Sequence, residues 1–288
     1  LGHYVLEVRQ SGIQVLPPDI NSSMENFTAV GEVIRFGLGA VARMGHNTVM
    51  MILNERKNGK FISLWNFMKR VDMSLMNKTV FENLIKAGAL DEIHKNRAML
   101  LNALPKYLEA IQSVNAEKKT SQLGLFEIDD GGDDDAVSAE PEIPEIPEFD
   151  EHTKLDYEKQ VTGMYISGHP YETHQEELSP YTNCKIMDLN GWKSENLKPC
   201  VGGIIASIKE KTTKKGANMC NLQLEDTEGS IDVVIFPKMW EELKGTLTVG
   251  DACVIEGKFD DRGQLLPDKI TMSDDLNGKA KRYITLSV

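Results

Sequence analysis

The sequence predicts an α+β protein of more than one domain: an all-helical block, an acidic linker and a five-stranded β-barrel. Three observations carry that expectation. Apolar residues recur at helical spacing up to about residue 121. Beyond Pro199 they alternate with polar residues instead. Between these regions, residues 127–151 hold Gly131, Gly132, three consecutive aspartates at 133–135, and prolines 141, 144 and 147 interleaved with glutamate. So little apolar surface cannot offset the entropy of ordering, and like charges repel. That segment is therefore expected to be a disordered, extended linker.

The chain of 288 residues is long enough for two domains, with an ordinary 41% hydrophobic and 26% charged content. Its formal net charge of −12 argues against nucleic acid as a partner until it is divided along the chain. Residues 1–121 hold 15 Lys+Arg against 11 Asp+Glu, residues 122–158 hold 1 against 14, and residues 159–288 hold 16 against 19. The acidity is concentrated around the linker, and the flanking blocks stay free to meet phosphate. Cys184, Cys200, Cys220 and Cys253 form no C-x-x-C pair and have no His at ligand spacing, so they read as buried thiols. No stretch of about 18 apolar residues and no signal-peptide zoning occurs, so no membrane partner is expected and the chain reads as cytoplasmic. A start at Leu1 without Met reads as part of something longer.

Taken in order, residues 1–32 are expected to form a connector, because Pro17 and Pro18 enforce an extended chain. The helical block at 33–121 opens on Gly37, Gly39 and Gly45, followed by a helix from Asn47 to Lys57 with Val49, Ile52 and Leu53 inward and Asn58-Gly59 as its cap. A glycine in the turn before a helix lets backbone N–H groups reach a phosphate, and the helix dipole adds to the attraction. That is the physics of a helix-hairpin-helix contact with a DNA backbone. It nominates Arg43, Gly45, His46, Asn47 and Lys57 as duplex-binding residues. Without a ligand the same segment is a plain helical-hairpin turn. Next, Ser63 caps a helix whose Leu64, Phe67, Met68 and Val71 face inward, and Trp65 and Phe67 read as core. The hairpin unit repeats over Asn77–Asp91, with Asn77 as N-cap, Val80, Phe81, Leu84 and Ile85 as the buried stripe, and Gly88 as the stop. A longer helix from Asn96 to about Lys119 carries Leu100, Leu101, Leu104, Leu108 and Ile111 inward, with a kink expected at Pro105.

That helix delivers the chain to Gln122, Leu123, Gly124, Leu125 and Phe126. A short apolar plug with a leading amide, placed where a helix meets an acidic tether, suits docking to a partner protein. Beyond the linker, residues 152–198 are expected to be a helical connector, with a helix from Thr153 toward Tyr165 and a stop at Ser167–Pro170. His169, beside Pro170, reads as a turn residue. Five strands follow within 199–275: Val201–Ile208, Met219–Leu224, Ser230–Phe236, Ala252–Phe259 and Leu265–Ile270, with a helix over Lys238–Leu247. That order is the OB-fold, a small Greek-key barrel that often binds single strands. Lys209, Lys211, Lys214 and Lys215 in the first loop, with Arg262 in the last turn, are the single-strand candidates. Their grip is expected to be electrostatic, because Phe236 is the one clear aromatic on strands two and three.

These residues resemble the alpha subunit of bacterial DNA polymerase III, the C-family replicative polymerase, over nearly the whole chain and in that family's order. The resemblance rests on Val15–Asn21 (VLPPDIN), Ile34–Ala40 (IRFGLGA), Leu84–Asp91 (LIKAGALD), Met164–Pro170 (MYISGHP), Lys214–Glu225 (KKGANMCNLQLE) and Val234–Pro237 (VIFP). It implies a tandem helix-hairpin-helix domain on duplex DNA and an OB-fold on single-stranded DNA template. It also implies that Gln122, Leu123, Leu125 and Phe126 are a Gln-Leu-x-Leu-Phe type peptide for the beta sliding clamp. Residues 1–32 would lead from an upstream fingers region, and 276–288 would begin a truncated C-terminal module. The hairpin departs from the family in Arg43-Met44-Gly45, where relatives often carry another small or polar residue. The family's Mg2+-dependent palm would lie upstream of Leu1. Asp129, Asp130 and the aspartates at 133–135 stand in the tether rather than on the rigid strands that two-metal polymerisation requires. No catalytic residue, metal ligand or cofactor is therefore expected in this chain. The expected role is non-catalytic binding of DNA and clamp beside other replisome subunits, in the bacterial cytoplasm at the nucleoid. The alternative is a scaffold that positions those subunits without touching DNA.

Overall fold

The computed structural model describes residues 5, 8, 11–123, 140–192, 197–214 and 216–276, with the backbone alone at 114–123 and 190. The chain divides into two compact units, Leu1–Ser167 and Gly168–Val288.

In the first unit, β1 (Val15–Leu16) pairs in parallel with β3 (Val33–Arg35), which pairs antiparallel with β2 (Thr28–Val30). The segment expected to be a connector is thus integral to the helical domain. Ile20 is fully buried in the helical core, its N–H donates to the Ala89 carbonyl, and Arg56 donates to the carbonyls of Ile20 and Ser23. Four helices follow: α1 (His46–Glu55), α2 (Leu64–Arg70), α3 (Lys78–Lys86) and α4 (Arg97–Leu123). Their apolar stripes meet in one core around Ile52, Phe67, Met68, Phe81, Leu84 and Tyr107, where Phe67 stands edge-on to both Phe61 and Phe81. Ser63 and Asn77 cap as the sequence expects, each side chain accepting from a first-turn N–H at 3.0 Å. Arg70 closes the other end of α1, stacking on Phe61 and donating to the carbonyls of Glu55, Gly59 and Lys60. Pro105 lies inside α4, which continues past it.

The linker expected to be mobile is ordered over residues 140–150, which lie along α4 as a strap. Tyr107 Oη donates to Glu140 at 2.7 Å, Lys106 Nζ to the Glu142 carbonyl at 2.6 Å, and Asn96 Nδ2 to the Ile146 carbonyl at 2.7 Å. The Glu148 carboxylate accepts from the first-turn N–H groups of Arg97 and Ala98 at 2.8 and 3.0 Å. The strap therefore runs antiparallel to the helix. Ile143, Ile146 and Phe149 recur every third residue, the period of the polyproline II helix that prolines 141, 144 and 147 pre-set. A pre-extended backbone has less entropy to lose, and Ile143 packs against the core. Residues 127–139 lie outside the described residues.

The predicted connector at 152–198 is divided between the units. Its helix, α5 (Glu151–Thr162), is N-capped by Asp150 and belongs to the first. Glu158 on α5 is fully buried and accepts from Arg97 at 3.1 Å, from the N–H groups of Ile166 and Ser167 at 3.1 and 2.9 Å, and from the Ser167 hydroxyl. Arg97 is also bound to Asp91 at 2.7 Å, so the buried charges are paired.

The second unit begins with α6 (Glu172–Leu178) and continues through β4 (Cys200–Thr212), β5 (Asn218–Glu225), β6 (Ser230–Ile235), α7 (Pro237–Leu243), β7 (Ala252–Phe259) and β8 (Gln264–Met272). The strands close into a barrel in the order β4-β5-β6-β8-β7, with β6 and β8 parallel and the other pairs antiparallel. Five strands closed in this way, with a helix between the third and fourth, make an OB-fold. Val201, Ile205, Leu222, Leu224, Val233, Ile235, Ile255 and Leu265 fill its interior. At the β7 bulge, a Cβ on Gly257 would stand 2.2 Å from the Leu266 carbonyl oxygen, so the close strand approach needs glycine. Tyr171 and Leu178 pack outside the barrel against Ile204, Ala252 and Val254. All four cysteines are free; Cys220 and Cys253 are buried as expected, whereas Cys184 and Cys200 are half-buried. His169 accepts from the Tyr171 N–H at 3.1 Å, the turn role the sequence suggests.

Candidate nucleic-acid interfaces

The first candidate site is the hairpin from Val41 to Gly45, immediately before α1. Val41 and Met44 are buried, which seats the turn on the core. Ala42 between them is held from both sides, its N–H donating to the Val161 carbonyl and its own carbonyl accepting from Asn83, each at 2.7 Å. The exposed Arg43 then takes a φ of 68°, the left-handed region that side chains with a Cβ seldom enter. Gly45, His46 and Asn47 are exposed as well, and a Cβ on Gly45 would meet nothing within 4 Å. The first N–H groups of any α-helix have no partner within the helix. In this unit α2 is capped by Ser63, α3 by Asn77, α4 by Asn96 and Glu148, and α5 by Asp150, while α1 has no side-chain cap. Its amino-terminal dipole therefore lies beside the exposed Arg43 with no side-chain cap.

The other two glycines do different work. A Cβ on Gly37 would stand 2.4 Å from the Glu25 carbonyl oxygen, so Gly37 and Gly39 allow the hairpin to pack on residues 24–26 rather than to reach a ligand. Glu25 itself holds His46, Oε1 to Nδ1 at 2.7 Å. Lys57 lies beyond the opposite end of α1, about 18 Å from Gly45 at 1.5 Å per residue, and donates to Asn54 at 2.9 Å. The structure thus brings Arg43, Gly45, His46 and Asn47 together and leaves Lys57 apart.

The second candidate site is the outer face of β4, β5 and β6. Ile208, Leu222 and Val233 point into the barrel, so the alternate residues point out. Register then sets Lys211 beside Met219, and Lys209 beside Asn221 and Val234. Because β4 runs on to Thr212, Lys209 and Lys211 belong to a strand rather than to the loop expected from the sequence. Lys214 is exposed in the turn, and Lys215 lies outside the described residues. Among the described residues, Lys209, Lys211 and Lys214 make no ion pair. Glu210, the acid within this run, is bonded to Lys244 at 2.9 Å, which holds its carboxyl below the usual range. Arg262 sits in the β7–β8 turn between Asp261 and Gly263, with its N–H on Asp260 Oδ1. That turn enters β8 level with Asp232, away from the lysine rows and among acids.

Gln122 and Leu123 close α4, their side chains not described, and Leu125 and Phe126 lie outside the described residues. The sequence reading missed Asn83, Arg97 and Glu158, which fix the hairpin and the end of α5. A polar Asn inside the apolar stripe of α3 was the available signal. Among the described residues no cluster of three His, Cys, Asp or Glu could hold a metal ion, and no helix is long and apolar enough to cross a membrane.

These features define a chain with two modules of nucleic-acid-binding type. Residues 12–100 match the helix-hairpin-helix motif family, and residues 200–273 match the OB-fold nucleic acid binding domain family. Over 99% of its length the chain is 36% identical to the DNA polymerase III subunit alpha of Mycobacterium tuberculosis, covering 24% of that protein. It is 36% identical to the Thermus aquaticus subunit over 84% of this chain and 19% of that one. It is 30% identical to the Bacillus subtilis subunit over 100% of this chain and 25% of that one. The chain belongs to the DNA polymerase III alpha-subunit family and spans about a quarter of the length of these relatives.

Proposed function

We propose that this chain is the non-catalytic DNA-holding and clamp-docking segment of a bacterial replicative polymerase. Duplex DNA is held by backbone contact at the α1 amino terminus, and single-stranded template along the lysine rows of β4. Gln122, Leu123, Leu125 and Phe126 dock on the beta sliding clamp, beside other replisome subunits in the cytoplasm. This role asks for no cofactor, and the family's Mg2+ chemistry is assigned to residues outside the chain. The observation that carries the reading is that the first turn of α1 has no side-chain cap, whereas α2, α3, α4 and α5 each have one. Titrating the chain with labelled duplex and single-stranded oligonucleotides at several salt concentrations tests it. Affinity is expected to fall linearly in log–log form with salt, independent of sequence. Replacing Lys209, Lys211 and Lys214 by alanine should weaken the single-strand arm alone. Replacing Leu125 and Phe126 by alanine should abolish clamp binding, because aliphatic and aromatic anchors dominate docking peptides. A chain that ignores DNA at low salt, or an alanine variant that still binds the clamp, overturns the corresponding arm.

A further inference from the structure

We infer that Phe236 is a base-stacking platform for single-stranded nucleic acid, working with the lysine rows of β4. The inference rests on the single-strand arm of the proposed function. Phe236 is 55% exposed, whereas Phe36, Phe61, Phe67 and Phe81 are at 2% or less. The ring is thus left half-open to an incoming ligand, unlike those four buried phenylalanines. Its stem is rigid. Ile235 on one side is fully buried in the barrel, and Pro237 on the other is the first residue of α7. Phe236 itself, the residue between β6 and α7, is extended, with φ −69° and ψ 160°, so its backbone carries the outward alternation of β6 one residue further.

The surroundings indicate what the ring meets. Cys220 pairs with Ile235, and extending that register by one residue sets Phe236 beside Met219, which pairs with Lys211. The backbone positions of Phe236 and Lys211 thus share one face, two strand spacings or roughly 10 Å apart. Lys209 follows on the next outward position of β4. A nucleotide can lay its base on the ring while its phosphate meets a lysine, and because every base has a π face the contact is tolerant of sequence.

The test uses the whole chain, a labelled oligothymidylate and the same strand with abasic sites. Wild-type protein should bind the abasic strand about tenfold more weakly. Phe236→Ala should lose about tenfold on the intact strand, with its salt slope unchanged, and should lose no more when bases are removed. Phe236→Tyr should restore affinity, which a merely structural role for position 236 does not require of an exposed ring. Equal affinity of Phe236→Ala and wild type, or an equal loss on both strands, overturns the inference and leaves the lysine-based reading standing. A wild-type chain that binds neither strand at low salt overturns the single-strand reading itself.

Discussion

Arg43 is the one described non-glycine residue with a positive φ. An L-residue there costs about 1 kcal/mol, and among the described residues no hydrogen bond or ion pair rewards the Arg43 side chain for it. A contact made outside the fold is the physical account offered by the proposed duplex arm. Arg43→Gly separates the two effects. It relieves the strain while adding unfolded-state entropy, so the melting temperature should stay level or rise. Duplex affinity should fall, and the salt slope should lessen by about one, the signature of a lost phosphate contact. Unchanged affinity and slope would remove Arg43 from the interface.

At the scale of elements, the strap makes a pH-dependent fastening. Partial burial works against charge on Glu148, but the N–H groups of Arg97, Ala98 and Phe149 outweigh it and hold the carboxyl below its ordinary value of 4.5. A depressed folded-state pKa gives stability that is complete above the ordinary value and drains away as pH falls through the folded one. Strap docking should therefore weaken on acidification below about pH 4.5, with hydrogen exchange at the Arg97 and Ala98 amides accelerating. Glu148→Gln should cost about 1 kcal/mol at neutral pH, as loss of a cap does, and should flatten that acid limb. An acid limb that survives the substitution would place the fastening elsewhere. The strap also shows where the sequence was opaque. Composition averaged over 127–151 conceals an apolar residue at every third position, and only period three reveals it. The helices and the barrel were legible because their stripes are long enough to show periods of 3.6 and 2. The sheet of β1, β2 and β3 was not, since strands of two or three residues carry no alternation. Arg43, Gly45 and His46 were nominated from a glycine before a helix. Separating Gly37 from Gly45 needed the neighbouring backbone, which no spacing contains.

For the whole molecule, a net charge of −12 and a proposed affinity for DNA coexist because the acids are unevenly placed. An acidic run on the same chain as the two proposed DNA-binding surfaces should slow the approach of DNA at low ionic strength. Replacing Asp133, Asp134 and Asp135 by asparagine is expected to raise the association rate in dilute salt. The gain should vanish near 0.5 M, where charges act over only a few ångströms. A salt-independent gain would mean the aspartates act by contact rather than by field. The antiparallel strap has a mechanical consequence for that same region. From Tyr107 to Leu123, α4 rises about 24 Å. The returning chain is bonded to Tyr107 at Glu140 and continues to the α4 amino terminus at Glu148. A pull exerted on the segment beyond Leu123 reaches the helical unit along two parallel members, one a helix and one an extended strap. Tension is shared and spread in shear over several hydrogen bonds, so traction is resisted without unwinding a single end.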